Sequence, residues 1–153
     1  MKQQFMRAAI REAKKAADKG EVPIGAVLVF GDKIIARAHN LRESSQRAAA
    51  HAEMIVIEKA NKKMKSWRLD DCDLYVTLEP CAMCAGAAAN ARIRAVYFGA
   101  YEKKGGCAES LHPVLTNSGL NHSVAYEGGI LEEECALLLT SFFKARRNQN
   151  KPE

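Results

Sequence analysis

The sequence lacks any long apolar run. Its opening segment, MKQQFMRAAIREAKKAADKG, holds nothing like the apolar centre of a secretion signal, and no stretch approaches the roughly 18 apolar residues of a membrane span. These absences argue against a membrane protein and lead us to expect a cytoplasmic one. Repeats, linkers and low-complexity tracts are missing too, apart from a short polar tail after Arg147. Nothing divides the 153 residues, a length that suits one domain with its own core. Cysteines are few and odd in number: five, at 72, 81, 84, 107 and 135. An odd set in a reducing compartment argues against a disulfide framework and favours metal binding or catalysis. Cys72, Cys107 and Cys135 also suit the role of small buried hydrophobes. Acidic residues are outnumbered, 18 against 23 Lys and Arg, giving a formal charge of +5. That excess fits an anionic partner such as nucleic acid, and equally an ordinary solvated surface.

What is present alternates between helical and strand periods. Phe5, Ala8, Ala9, Ala13, Ala16 and Ala17 recur at helical spacing up to Gly20. PIGAVLVF, GDK and IIARAHN read as strand, tight turn and strand. AAHAEMIVIEKANKK predicts a second helix, CDLYVTLE a β-branched and aromatic strand, and PCAMCAGAAANA a third helix with Pro80 in its first turn. IRAVYFGA and HSVAYEG predict two further strands, and ILEEECALLLTSFFKARRNQ a C-terminal helix at about 130–147. This order predicts a three-layer α/β/α sandwich with helices on both faces of the sheet.

With Pro80 fixing a helix start, Cys81 and Cys84 lie one turn apart on one face. Unpaired N–H groups and the positive end of the helix dipole favour thiolates there. Such a pair suits a metal or redox chemistry, and the second helix favours the metal. His51 and Glu53, in AHAEM, stand at its mouth, and helices that follow adjacent strands open onto one crevice at the strands' C-terminal ends. His51, Cys81 and Cys84 can then meet. Three such ligands suit zinc, with the fourth position left to water as in catalytic sites. The residues alone leave open an ordinary surface His beside a solvated Glu, and a structural zinc completed by His39, Cys107 or His112.

H-x-E at 51–53 followed by P-C-x-x-C at 80–84 is the established signature of the zinc deaminases, and here the chain resembles the cytidine deaminase-like superfamily. Further stretches are similar to the bacterial tRNA-specific adenosine deaminases over nearly the whole chain: EVPIGAVLV, AHNLRE, SWRLDDCDLYVTLEPCAMCAGA, VYFGA with KKGG and SL, LNH, and GGILEEECALLLTSFFKARR. The resemblance implies a central mixed five-stranded sheet of the cytidine deaminase-like fold. It implies one Zn2+ per chain on His51, Cys81 and Cys84, with Glu53 moving protons. It implies hydrolytic deamination of adenosine to inosine at the wobble position of tRNA, by a homodimer that contacts the anticodon stem-loop. Asn40 matches an asparagine that hydrogen-bonds the flipped purine; the alternative is a turn residue closing the hairpin. Phe142, Phe143, Lys144 and Arg147 fall where the family's C-terminal helix meets the stem-loop, with core packing as the alternative for the two rings. Lys103 and Lys104 are available for phosphate. Four positions depart from the family's usual pattern: RAAA at Arg47 to Ala50 for Asp-Pro-Thr-Ala, Glu102 for Asp, Glu109 for Gly, and Ser123 for Arg. They lie toward the nucleic-acid side and are the only support for a nearer rival, a deaminase of a free guanine- or cytosine-type base. A non-catalytic zinc-stabilised binding module is the farther rival, and it leaves Glu53 without a task.

Overall fold

The segments GAVLVF, CDLYVTL and AVYFGA are largely apolar on both faces, as expected of central strands in a sheet covered twice by helices. In the computed structural model, which describes residues 1–116, 119–120 and 122–150, the order is α1 (Lys2–Asp18), β1 (Gly25–Phe30), β2 (Lys33–His39), α2 (Arg42–Ser45), α3 (Ala52–Met64), β3 (Cys72–Leu78), α4 (Ala82–Asn90), β4 (Ala95–Ala100), β5 (Ala125–Glu127) and α5 (Glu132–Gln149). The strands form one mixed five-stranded sheet, β2-β1-β3-β4-β5. β1 is antiparallel to both neighbours, while β3, β4 and β5 run parallel. Alternate residues of each strand feed opposite cores. Val27, Val29 and Tyr75 pack under Phe5, Met6 and Ala9 of α1 and Cys135 of α5. Ala26, Leu28, Leu74 and Val76 pack under Val56 and Ala60 of α3 and Ala85 and Ala88 of α4. The predicted α/β/α layering is therefore present. Among the described residues no helix is long and apolar enough to cross a membrane.

Small residues set the layer spacing. A Cβ on Gly25 would lie 2.1 Å from the Ala9 carbonyl oxygen and 2.4 Å from the Ala13 nitrogen, so glycine lets α1 sit directly on β1. Cys135 fills the space above Gly99, where a Cβ would meet its Sγ at 2.3 Å. Cys72, Cys107 and Cys135 are buried free thiols, as their reading as small hydrophobes expects. Burial pushes Cys72 up to about 11 and Cys135 up to about 12, which makes both inert at neutral pH.

Four details differ from the sequence expectation. The helices that carry the paired motifs follow β2 and β3, which are not adjacent, because β1 lies between them. Both are antiparallel to β1 and so point the same way, which still brings α3 and α4 to one end of the sheet. α4 begins at Ala82, with Cys81 as its extended N-cap (φ −76°, ψ 178°), and Pro80 stands outside the helix. The Pro80 carbonyl accepts the Cys107 N–H at 2.7 Å and ties that turn to a later loop. The four-residue helix α2 was not foreseen. It lacks a local side-chain cap, and buried Glu21 supplies one from a distance, accepting the Glu43 and Ser44 N–H groups at 3.0 and 2.6 Å. Finally, α5 spans 132–149 rather than 130–147, because Leu131 at φ 52° breaks the helix before it.

Candidate active site

β2, β3 and β4 end at the edge of the sheet where the chain enters β1, and the loops leaving them converge there. His51 is the N-cap of α3 (φ −75°, ψ 150°), and Cys81 is the N-cap of α4. Neither side chain caps its own helix, which frees both for the crevice. Cys84 lies buried in the first turn of α4. His51 Nδ1 stands 3.7 Å from Cys81 Sγ and 3.6 Å from Cys84 Sγ.

The three donor atoms lie within 4.8 Å of one another, and among the described residues no fourth His, Cys, Asp or Glu joins them. Tetrahedral zinc, with Zn–S about 2.3 Å and Zn–N about 2.0–2.1 Å, sets neighbouring N and S donors about 3.6 Å apart. Donor set and spacing therefore both fit zinc. Of the alternative ligands, His39 is engaged with Glu12 at 3.2 Å, and the Cys107 thiol donates to the Gly105 carbonyl at 3.6 Å. Within the cluster the protons are unevenly shared. The hydrogen bond from Cys84 holds Cys81 down to about 4 and pushes Cys84 far up, while the contact with Cys81 raises His51.

Two adjoining cavities share His51, Ile24, Leu78 and Glu102. The smaller, of about 360 Å³, is lined also by Glu53, Cys81 and Lys104. Glu53 sits in the first turn of α3 and is only 4% exposed, and burial pushes its carboxyl upward. The larger, of about 400 Å³, adds Asn40, Arg42, Tyr101, Thr140 and Phe143. Asn40 fills its turn role, since its Nδ2 donates to the Val22 carbonyl at 3.3 Å and its Oδ1 accepts the Arg42 N–H at 3.1 Å. It lines the cavity as well, with one N–H and one lone pair uncommitted.

His51, Glu53, Cys81, Cys84, Asn40, Lys104 and Phe143 thus come together. Phe142 does not: it lines a groove between α1 and α5, with its ring 4.9 Å from the Arg146 guanidinium. Lys103, Lys144 and Arg147 are exposed and line neither cavity. Arg42, Tyr101 and Thr140 were missed in the sequence, Arg42 because the helix that carries it was missed. Glu21 and Glu79 were also missed. Each is a buried carboxylate within two residues of a proline, Glu21 just before an apolar stretch and Glu79 just after one, and that combination was the available signal.

A mixed sheet of this order, with a His-Cys-Cys group between two helix starts, defines a deaminase of the cytidine deaminase-like fold. The family model described as MafB19-like deaminase matches residues 1–147. The tRNA-specific adenosine deaminase of Bacillus subtilis (strain 168) is 54% identical over 147 residues, covering 96% of this chain and 91% of that protein. The protein of the same name from Aquifex aeolicus (strain VF5) is 46% identical, covering 96% of this chain and 97% of that one. The chain belongs to the MafB19-like deaminase family and, within it, to the tRNA-specific adenosine deaminases. A solved structure from work on A-to-I editing by tRNA:A34 deaminases matches with TM-score 0.86 at 43% identity, covering 89% of this chain and 99% of that one. The guanine deaminase of Nitrosomonas europaea, at 20% identity and TM-score 0.79 over 92% of this chain and 83% of that one, shares the fold alone.

Proposed function

We propose that this chain hydrolyses adenosine to inosine and ammonia at the wobble position, the first anticodon base, of a tRNA. The observation that carries it is the placement of buried Glu53 beside the His51–Cys81–Cys84 group, in a crevice that Asn40 and Phe143 also line. His51, Cys81 and Cys84 would hold one Zn2+ per chain. Bound there, zinc would lower the pKa of a water from 15.7 toward about 7 and so supply a nucleophile at neutral pH. Glu53 takes a proton from the attacking water and passes it to N1 of adenine as the C6–O bond forms. It then takes the proton of the new C6 hydroxyl and delivers it to the amino nitrogen, so that the C6–N bond breaks, ammonia leaves and the carbonyl of inosine remains. Asn40 offers its uncommitted amide hydrogen and lone pair to the purine edge. Ile24 and Leu78 supply apolar walls that exclude water.

A cavity of about 400 Å³ admits a base and no duplex, so the adenine must be splayed out. Anticodon loops already present unstacked bases, which favours them as substrate. The charge of +5 supports an RNA partner, with Arg42 and Lys104 at the crevice and Lys103, Lys144 and Arg147 available for phosphate further out. The reading includes one deaminase domain over residues 1–153 with the α5 helix as its RNA-facing edge, assembled as a cytoplasmic homodimer. Incubation with total tRNA and with free guanine, cytosine and adenine tests it. Inosine in tRNA alone is the expected result, and ammonia from a free base with unmodified tRNA would overturn it.

A further inference from the structure

We infer that Glu79 is a positioning residue, whose buried carboxylate fixes the 102–110 loop as a wall of the crevice and so sets substrate fit without moving protons. The inference rests on the proposed deaminase reading. Glu79 lies one residue past β3 and is 2% exposed. Its Oε2 accepts the N–H groups of Ala108, Glu109 and Ser110 at 3.2, 2.8 and 2.9 Å. Its Oε1 accepts the Glu102 N–H at 3.1 Å and the Ser110 hydroxyl. A carboxylate offers about four lone-pair positions, so these five donors leave no room for a substrate proton. Glu53, by contrast, is met by its own backbone N–H and the Cys84 thiol and by no comparable set of amides among the described residues.

The loop held in this way reaches the chemistry. Glu102, Lys104 and Gly105 line the same cavity as His51, Glu53 and Cys81. A second tie, from the Cys107 N–H to the Pro80 carbonyl at 2.7 Å, lands one residue before Cys81. The backbone at Gly106 lies directly on the carboxylate, where a Cβ would stand 2.3 Å from Glu79 Cδ and 2.4 Å from its Oε1. Glutamine at 79 would keep the shape but replace one acceptor oxygen with a donor. With its oxygen turned to the three amides of 108–110, its NH2 would face the Glu102 N–H, and the start of the wall would come loose.

The test compares Glu79→Gln, Gly106→Ala and the double variant with the wild type. It reads zinc content, kcat and KM on an anticodon stem-loop RNA, and hydrogen exchange of the 102–110 amides. Expected are wild-type zinc content, faster exchange at 102 and 108–110, and KM raised about tenfold, the equivalent of one lost charge-assisted hydrogen bond, with kcat within about threefold. Gly106→Ala should shift the same readouts in the same direction and further, because its Cβ would meet the Glu102 carbonyl oxygen at 2.5 Å as well as the carboxylate. The double variant should fall short of the sum of the two singles, because both disturb the seat of the loop on residue 79. A hundredfold fall in kcat at unchanged KM, loss of zinc, or unchanged exchange would overturn the assignment. If Glu79→Gln does not fold, Ser110→Ala removes one donor only and should show the same KM and exchange changes at smaller size; unchanged values would overturn it. Should the wild type fail to deaminate the RNA, the functional reading falls, while the exchange comparison still judges the loop.

Discussion

Glutamine in place of Glu53 removes a proton carrier while keeping its shape. The side chain is buried in the first turn of α3 and lines the cavity that also holds His51 and Cys81. It is not one of the three clustered donors, so zinc content should match the wild type. Burial disfavours the charged carboxylate at this position, so a neutral amide should leave the melting temperature equal or slightly higher. General acid–base assistance is worth about 10²–10⁴ in rate for each transfer, and at about 1.4 kcal/mol per decade this is a barrier increase of about 3–5 kcal/mol. Because Glu53 serves two transfers, the loss in kcat should sit at or beyond the upper end. Single-turnover formation of inosine in an anticodon stem-loop, beside metal analysis of the same preparation, reads both quantities. A variant within tenfold of wild-type kcat and with full zinc would refute the proton-transfer role. A zinc-free variant would make Glu53 a ligand instead.

Cys84→Ala should lose the metal and much stability, because the cluster joins two helix starts and metal binding is coupled to folding; a zinc-loaded, normally stable variant by metal analysis and calorimetry would contradict this. Burial alone would push the Glu21 carboxyl up, but the hydroxyl and amide of Ser44, with the Glu43 amide, hold it below its ordinary value. Its contribution is therefore full above about pH 4.3 and is lost as pH falls through the lowered folded value. In urea unfolding, wild type should lose more stability than Glu21→Gln as pH drops from 5 to 3, and parallel curves would count against the role. The two phenylalanines should separate. Phe143→Ala should raise KM for the stem-loop with little change in melting, whereas Phe142→Ala should lower the melting temperature by the equivalent of about 1–2 kcal/mol, less than a fully buried aromatic. Equal effects of both changes on KM would remove the distinction.

The chemistry was legible because H-x-E and P-C-x-x-C each sit at the start of a helix that periodicity reveals, although neither helix carries a side-chain cap. The layer order was legible from the β-branched and aromatic residues of β3 and the helical spacing in α1. The β1–β2 hairpin was legible from its tight turn, but the pairing of β1 with β3 was not, because it depends on contacts across the whole sheet and leaves no local trace. Pro80 was placed inside α4 because proline suits a first helical turn; the tie from the Cys107 amide to its carbonyl lies 27 residues further along the chain. Glu21 and Glu79 read as surface acids in any composition count. They are buried where their carboxylates accept distant backbone amides, at 43–44 for Glu21 and at 102 and 108–110 for Glu79. Phe142 and Phe143 were indistinguishable as neighbours in sequence, and the rotation of about 100° between successive helical residues sends them to different surfaces.

The central claim is tested most directly by mass-spectrometric mapping of inosine in purified tRNA after incubation with the zinc-loaded protein. The account predicts inosine at the first anticodon base of a subset of tRNAs, ammonia released in equal amount, and none of either with Glu53→Gln. Unmodified tRNA together with rapid ammonia release from free guanine or cytosine would contradict it.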